Sequence, residues 1–227
     1  MFNTNGKLDT RKMMVLALIS AMAFVLAMVA RVPLVPVVSF LRYDPKDVAI
    51  AMGAFLYGPL AGLIVSVVVS LIQMFTISAT GPWGFLMNVL ASASFVCTAA
   101  FIYKLKRTMA GAVLGLIVGI VVNVVCMLLW NYLVVPIYMG WPQEAVAQLL
   151  IPGFLPFNLI KGGINAAIIM MLYKPFIKTL RKMRILTTSP SETGSEENGS
   201  GKTRTVLVLS IIALGICVGI VLILRVI

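Results

Sequence analysis

Apolar residues run through most of this chain in blocks far longer than a soluble helix or strand needs. A membrane-crossing helix takes about 20 predominantly apolar residues, and Met13 to Ala30 supplies the first such block, preceded by Lys7, Arg11 and Lys12. The block from Val48 to Ser78 is too long for one untilted span and is interrupted by Gly58-Pro59. Proline cannot donate to the preceding turn and restricts the residue before it, so the pattern predicts a short helix from Asp47 to Tyr57 and a longer one from Pro59 to Ser78. Thr80-Gly81-Pro82 reads as a turn. The next spans are Gly84 to Tyr103, Ala110 to Val135 ending at Pro136, and Leu149 to Leu172 closed by Lys174 and Pro175. A basic run follows. From Thr187 to Thr203 the composition changes to Ser, Thr, Gly and Glu, as in a flexible linker, and Thr205 to Leu224 is a seventh apolar stretch. The predicted fold is an all-α integral membrane protein, a six-helix transmembrane bundle with an additional C-terminal transmembrane helix. Its segments are 1–12 (cytoplasmic amino terminus), 13–174 (the six-helix membrane domain), 175–204 (basic segment and linker) and 205–224 (the extra helix).

Composition agrees with the pattern: 61% of residues are hydrophobic and 11% charged, with mean hydropathy +1.07. The 18 Lys and Arg against 7 Asp and Glu leave no solvated basic face wide enough to track nucleic-acid phosphates, so the charge reads as topology. With the amino terminus inside, the inner segments hold Lys7, Arg11, Lys12, Lys104, Lys106, Arg107, Lys174, Lys178, Arg181, Lys182, Arg184, Lys202 and Arg204, and the outer ones Arg31, Arg42, Lys46 and Arg225. Thirteen against four is a strong positive-inside bias. It depends on a turn at Gly58-Pro59, because one continuous helix there would put the later basic loops outside. The same alternation places the carboxyl end outside the cell. No secretory cleavage site follows the basic start, and the expected location is the cell membrane, as a multi-pass protein.

Several chemistries drop out. Histidine is absent, which removes imidazole as base, relay or ligand. Cys97, Cys126 and Cys217 stand in apolar runs without CxxC spacing and read as small buried hydrophobes. None of the seven acids (Asp9, Asp44, Asp47, Glu144, Glu192, Glu196, Glu197) lies in the middle of an apolar run, which disfavours a proton-coupled pump. An autonomous secondary transporter predicts an inverted repeat or an intramembrane acid, and an intramembrane enzyme predicts clustered acids or histidines. The sequence shows none of these. No paired carboxylates or nucleophile with a base is present, so catalysis is not expected.

Lys161 is the one charge clearly interior to an apolar span, at a cost near 3 kcal/mol by insertion scales. Asn158, three residues earlier, shares its helical face. The bland alternative is a snorkelling lysine and an interhelical amide. Asn131, Asn88 and Gln73 fall at a similar outer depth, and amides set side by side suit an edge alternating C=O and N–H, with a lysine adding a cationic donor. Asn123 lies deeper and reads as interhelical glue. Between the first two helices Arg31 to Lys46 is proline-stiffened, with Tyr43, Asp44 and Asp47 near its end. It is read as a lid over an outward pocket, against the alternative of an ordinary loop whose charges pair with one another. Asp47 is read as capping the following helix. In the first helix Ala17 and Ala21, then Ala23 and Ala27, repeat at small-xxx-small spacing, suited to close approach by another helix, either within the chain or from a partner.

The strings YDPKDVAIAMGAFLYGPLAGL (Tyr43 to Leu63), WNYLVVPIY (Trp130 to Tyr138) and LPFNLIKGG (Leu155 to Gly163), with the six-span plan, resemble the riboflavin-specific substrate-binding (S) component of the energy-coupling factor (ECF) class of vitamin transporters. The resemblance covers residues from about 10 to 184. It implies riboflavin held in an outward pocket, with Asn131, Asn158 and Lys161 on the polar edge of its isoalloxazine ring; Asn88, Gln73, Asp44 and Tyr43 are further substrate-binding candidates beside them. It also implies docking of a membrane scaffold subunit on Ala17 and Ala21, and two ATP-hydrolysing partner subunits. The chain has no GxxxxGK motif, in keeping with borrowed ATPases. No cofactor of its own is implied, riboflavin being the transported ligand. The alternatives are an S component for another vitamin and the autonomous transporter. The seventh hydrophobic stretch departs from the six-helix plan.

Overall fold

A computed structural model describes residues 10–38 and 40–182. The linker, the seventh apolar stretch, Cys217 and the extreme amino terminus lie outside the described residues. The chain folds as α1 (Thr10–Val29), a hairpin of β1 (Val32–Pro33) and β2 (Arg42–Tyr43) around a short 3-10 turn at Pro36–Val38, then α2 (Lys46–Tyr57), α3 (Pro59–Thr76), α4 (Gly81–Leu105), α5 (Met109–Met139), α6 (Gln143–Leu149) and α7 (Leu155–Lys182). A π-helical turn, Leu150–Phe154, joins α6 to α7.

Among the described residues, five spans are long and apolar enough to cross a bilayer: α1, α3, α4, α5 and the α6–α7 unit. The remaining helix of the plan, α2, has 12 residues, or about 18 Å at 1.5 Å per residue, against a hydrocarbon core of about 30 Å. It is tolerated because its sisters enclose it. Every residue from Lys46 to Phe55 is buried, which is how a short helix at membrane depth avoids lipid. The expected break is real: Gly58 has φ 93, a left-handed backbone open to glycine, and Pro59 starts α3, where its missing N–H costs nothing. Gly58 and Tyr57 line a small cavity of about 130 Å³ with Lys104 and Arg107, so this turn shares an end of the bundle with the basic α4–α5 connection, as the charge count requires.

Two expected boundaries move. Helix α5 does not stop at Pro136 but continues to Met139 and closes on Gly140, whose left-handed backbone turns its N–H back to the Pro136 carbonyl at 2.9 Å. A proline in the last turn forfeits one backbone bond, and the Gly140 cap recovers a terminal one. The last span begins at Gln143 rather than Leu149, because the π-turn carries the helix past Pro152 and into α7. A π-turn re-registers the backbone bonds that a proline disrupts.

Two apolar cores result. One joins Leu16, Ile19 and Ala23 of α1 with Ile50 and Ala54 of α2, Val65 and Val69 of α3, Val96 and Ala99 of α4, Leu116 of α5 and Ile169 of α7. The other lies beneath the hairpin, where Leu34, Val35, Val38 and Leu41 meet Val135, Val146, Phe154 and Phe157. Leu18, Val25, Phe75, Phe101, Val121, Leu129 and Ile151 face outward, the surface a protein presents when its solvent is lipid.

Candidate binding cavity

The hairpin is anchored from three directions. Val38 is fully buried, its Cγ1 so close to Gly153 that a Cβ added there would lie 2.6 Å away. Glycine at the π-turn is therefore what lets the hairpin seat. Phe40 meets Trp141 and Phe154 edge to face, with ring centroids 5.8 and 6.0 Å apart. Arg31 donates Nη1–H to the carbonyl of Ile77 at 3.0 Å, tying the base of the hairpin to the α3–α4 turn.

Under the hairpin four charges converge. Lys161 Nζ stands 3.3 Å from Asp47 Oδ2 and 3.7 Å from Asp44 Oδ1, and Lys46 Nζ stands 3.5 Å from Asp44 Oδ2. Lys46, Asp47 and Asp44 are 0, 2 and 4% exposed. Lys161 is thus not the only charge inside the bundle, and acids do reach the interior. The local composition around Asp44 and Asp47 is polar, but the hairpin folds down and carries both to the buried head of α2. Two lysines and two aspartates sum to zero, and buried charge is sustained only when paired and hydrogen-bonded.

Amides and hydroxyls complete the pairing. Lys46 Nζ donates to Gln73 Oε1 at 3.0 Å and to Asn88 Oδ1 at 2.7 Å. Asp47 accepts from Ser92 Oγ at 2.5 Å and from Asn165 Nδ2 at 3.4 Å, and Tyr43 donates to Asn165 Oδ1 at 2.9 Å. Asp47 therefore does not cap α2: the N-cap position is Pro45, without a side-chain bond, and the carboxylate serves α4 and α7 instead. Burial alone would raise the Asp44 carboxyl, but Lys46, Lys161 and Arg31 outweigh it and hold it below the usual carboxylate range. Burial, then the Asp47 and Asp44 carboxylates, pushes the Tyr43 phenol up, so it remains a donor.

Beside this cluster opens a cavity of about 500 Å³, within the range of small-molecule sites. Its wall brings together Asn88 from α4, Asn131 from α5, Asn158 and Lys161 from α7 and Asp44 from the hairpin. Apolar surface comes from Phe40, Leu41, Met87, Met127, Tyr138 and Phe157. Asn131 donates Nδ2–H to the Met127 carbonyl at 2.6 Å and Asn158 to that of Phe154 at 2.8 Å. Each amide nitrogen is thereby committed to its own helix, and buried Asn131 Oδ1 has no partner. A buried acceptor left open in a cavity wall is a place for a ligand donor.

Gln73 and Tyr43 are not part of this wall. They stand behind it, as supports of Lys46 and Asn165. Asn123 is the glue expected of it, bonding the Ala91 carbonyl at 2.8 Å and Ser94 Oγ at 3.0 Å on α4. Cys97 and Cys126 are free thiols, half-buried rather than buried. Sequence reasoning missed Lys46, Ser92, Asn165 and Arg31 as parts of the site. Helical spacing held a signal for two of them, since Asn165 is four residues beyond Lys161 and Ser92 four beyond Asn88. Along α1, Ala17 and Ala21 are exposed, whereas Ala23 and Ala27 are completely buried. The two pairs divide between the outer face and the core.

Residues 11–173 match the family described as ECF transporter, substrate-specific component. The chain is 32% identical over 182 residues to the riboflavin transporter RibU of Staphylococcus aureus (strain TCH60), covering 77% of this chain and 95% of the relative. It is 27% identical over 190 residues to the riboflavin transporter FmnP of Bacillus subtilis (strain 168), covering 78% and 100%. Among solved structures, the S component of a bacterial ECF transporter superposes with TM-score 0.66 at 32% identity, over 76% of this chain and 99% of the other. The buried charge cluster, the cavity beside it and the six-helix frame thus sit in a chain that belongs to the family of substrate-specific S components of ECF transporters.

Proposed function

We propose that this protein binds riboflavin in the cavity beneath the hairpin and delivers it across the membrane, energised by a separate scaffold subunit and two ATPase subunits. The observation that carries the reading is the wall itself: Asn131 with an open acceptor, Asn158 and Lys161 line one cavity of about 500 Å³ together with apolar surface from Phe40, Leu41, Met87, Met127 and Phe157. Isoalloxazine is a flat, largely apolar tricycle whose imide edge and ribityl hydroxyls need partners once water is lost. The imide N–H suits Asn131 Oδ1, and a ring carbonyl suits the Lys161 ammonium. Relatives named as riboflavin transporters support the choice of ligand.

The orientation follows from charge. The end bearing Gly58, Lys104 and Arg107 faces the cytoplasm by the positive-inside bias, and the hairpin and cavity face outward. The exposed pair Ala17 and Ala21, in the middle turns of α1, then offers a close-approach surface to the scaffold subunit.

Protein purified from cells grown with riboflavin is expected to be yellow and to release riboflavin, identified by its absorption spectrum, on denaturation. Colourless protein that also fails to acquire flavin on incubation contradicts the proposal.

A further inference from the structure

Asn88 differs from the other two amides of the wall in what fixes it. Asn131 and Asn158 are held by backbone carbonyls, which take their nitrogens. Asn88 is held by Lys46, whose ammonium can only donate and so takes the oxygen. An asparagine in an unbiased setting can present either end of its amide. Beside a buried lysine it cannot. The Asn88 NH2 group is left without a bond inside the chain among the described residues, on a side chain that lines the cavity. Lys46 itself is 0% exposed and does not reach the cavity. Its remaining contacts, Gln73 Oε1 at 3.0 Å and Asp44 Oδ2 at 3.5 Å, clamp it between α3 and the hairpin.

We propose that Lys46 is a positioning residue for the ligand: by taking the amide oxygen of Asn88 it turns the Asn88 NH2 into the cavity as a fixed donor, and so selects a ligand that presents an acceptor there. The wall then carries a donor on α4, an open acceptor on α5 and a cationic donor on α7, a polarity that fits an edge of alternating carbonyl and N–H groups. The inference rests on the riboflavin reading and adds to it a residue that never touches the ligand.

The test is quenching of riboflavin fluorescence by purified protein. Asn88→Asp keeps the shape and the acceptor facing Lys46 but replaces the cavity-side NH2 with an oxygen. It is expected to bind at least about tenfold more weakly, as loss of a buried hydrogen bond implies, with no fall in melting temperature, since Lys46 gains a carboxylate. Lys46→Met is expected to weaken binding similarly in the wild-type background and by less than about threefold in an Asn88→Ala background, the non-additivity of groups acting in series. Wild-type affinity in Asn88→Asp, or equal losses from Lys46→Met in both backgrounds, overturns the inference. Should Lys46→Met not fold, Asn88→Asp decides alone. A wild-type protein that does not quench strikes the riboflavin reading and this inference together, whereas wild-type quenching matched by Asn88→Asp strikes only the inference.

Discussion

Lys161 touches both aspartates and also lines the cavity, so its removal acts twice. Lys161→Met removes the ammonium 3.3 Å from Asp47 Oδ2 and strips a donor from the wall. Riboflavin affinity is expected to fall at least about tenfold, from an unpaired buried group worth about 1 to 3 kcal/mol, as read by fluorescence titration. The pH dependence follows from Asp44, whose carboxyl is held below its usual range by Lys46, Lys161 and Arg31 against the effect of burial. A depressed carboxylate contributes stability that is fully present above the ordinary value of 3.8 and is lost as pH falls through the folded-state value. Histidine is absent, leaving no side chain that ordinarily titrates near neutrality. Binding is therefore expected to stay level from about pH 8 to pH 5 and to fail only below about pH 4. A midpoint near pH 6 in the titration series contradicts this.

At the scale of elements, the hairpin and the π-turn are made for each other. Gly153→Ala places a methyl against stiff, buried Val38 and is expected to lower stability by about 1 to 3 kcal/mol, the usual cost of overpacking. Adding Val38→Ala should recover part of that loss, and thermal unfolding in detergent of the single and double variants measures it. Independent, additive losses would show that the two residues do not share a contact. Much of this level was legible beforehand. Long apolar blocks and the Gly58-Pro59 break mark the helices, because spanning length and proline chemistry act locally. What was hidden is what depends on distant partners. Lys46 looked like an outer-loop charge, and only the hairpin folding back over α2 buries it beside Gln73 and Asn88. The run from Gln143 through Pro152 looked like a loop and then a helix, and a π-turn rather than any residue preference makes it continuous. Asn131, Asn158 and Lys161 were legible as a set because polar groups at one depth in apolar helices are costly enough to carry purpose.

For the whole molecule, the proposed function separates the surface that binds from the surface that couples. The cavity lies beneath the hairpin, and the exposed Ala17 and Ala21 lie in the middle turns of α1 and do not line it. Replacing both alanines by leucine is expected to leave riboflavin affinity within about twofold, as for surface substitutions away from a site, while abolishing uptake by cells that express the partner subunits. Lost binding in that variant would instead mean that the pair is needed to hold the bundle together. If the cavity wall holds riboflavin through its amides and lysine, as proposed, titrating riboflavin with the purified wild-type protein and Asn158→Leu side by side will show saturable quenching by the wild type. The stoichiometry is expected to be about one flavin per chain, and affinity to be lowered at least about tenfold in Asn158→Leu. No quenching by the wild type, or equal affinity in both proteins, contradicts the proposal.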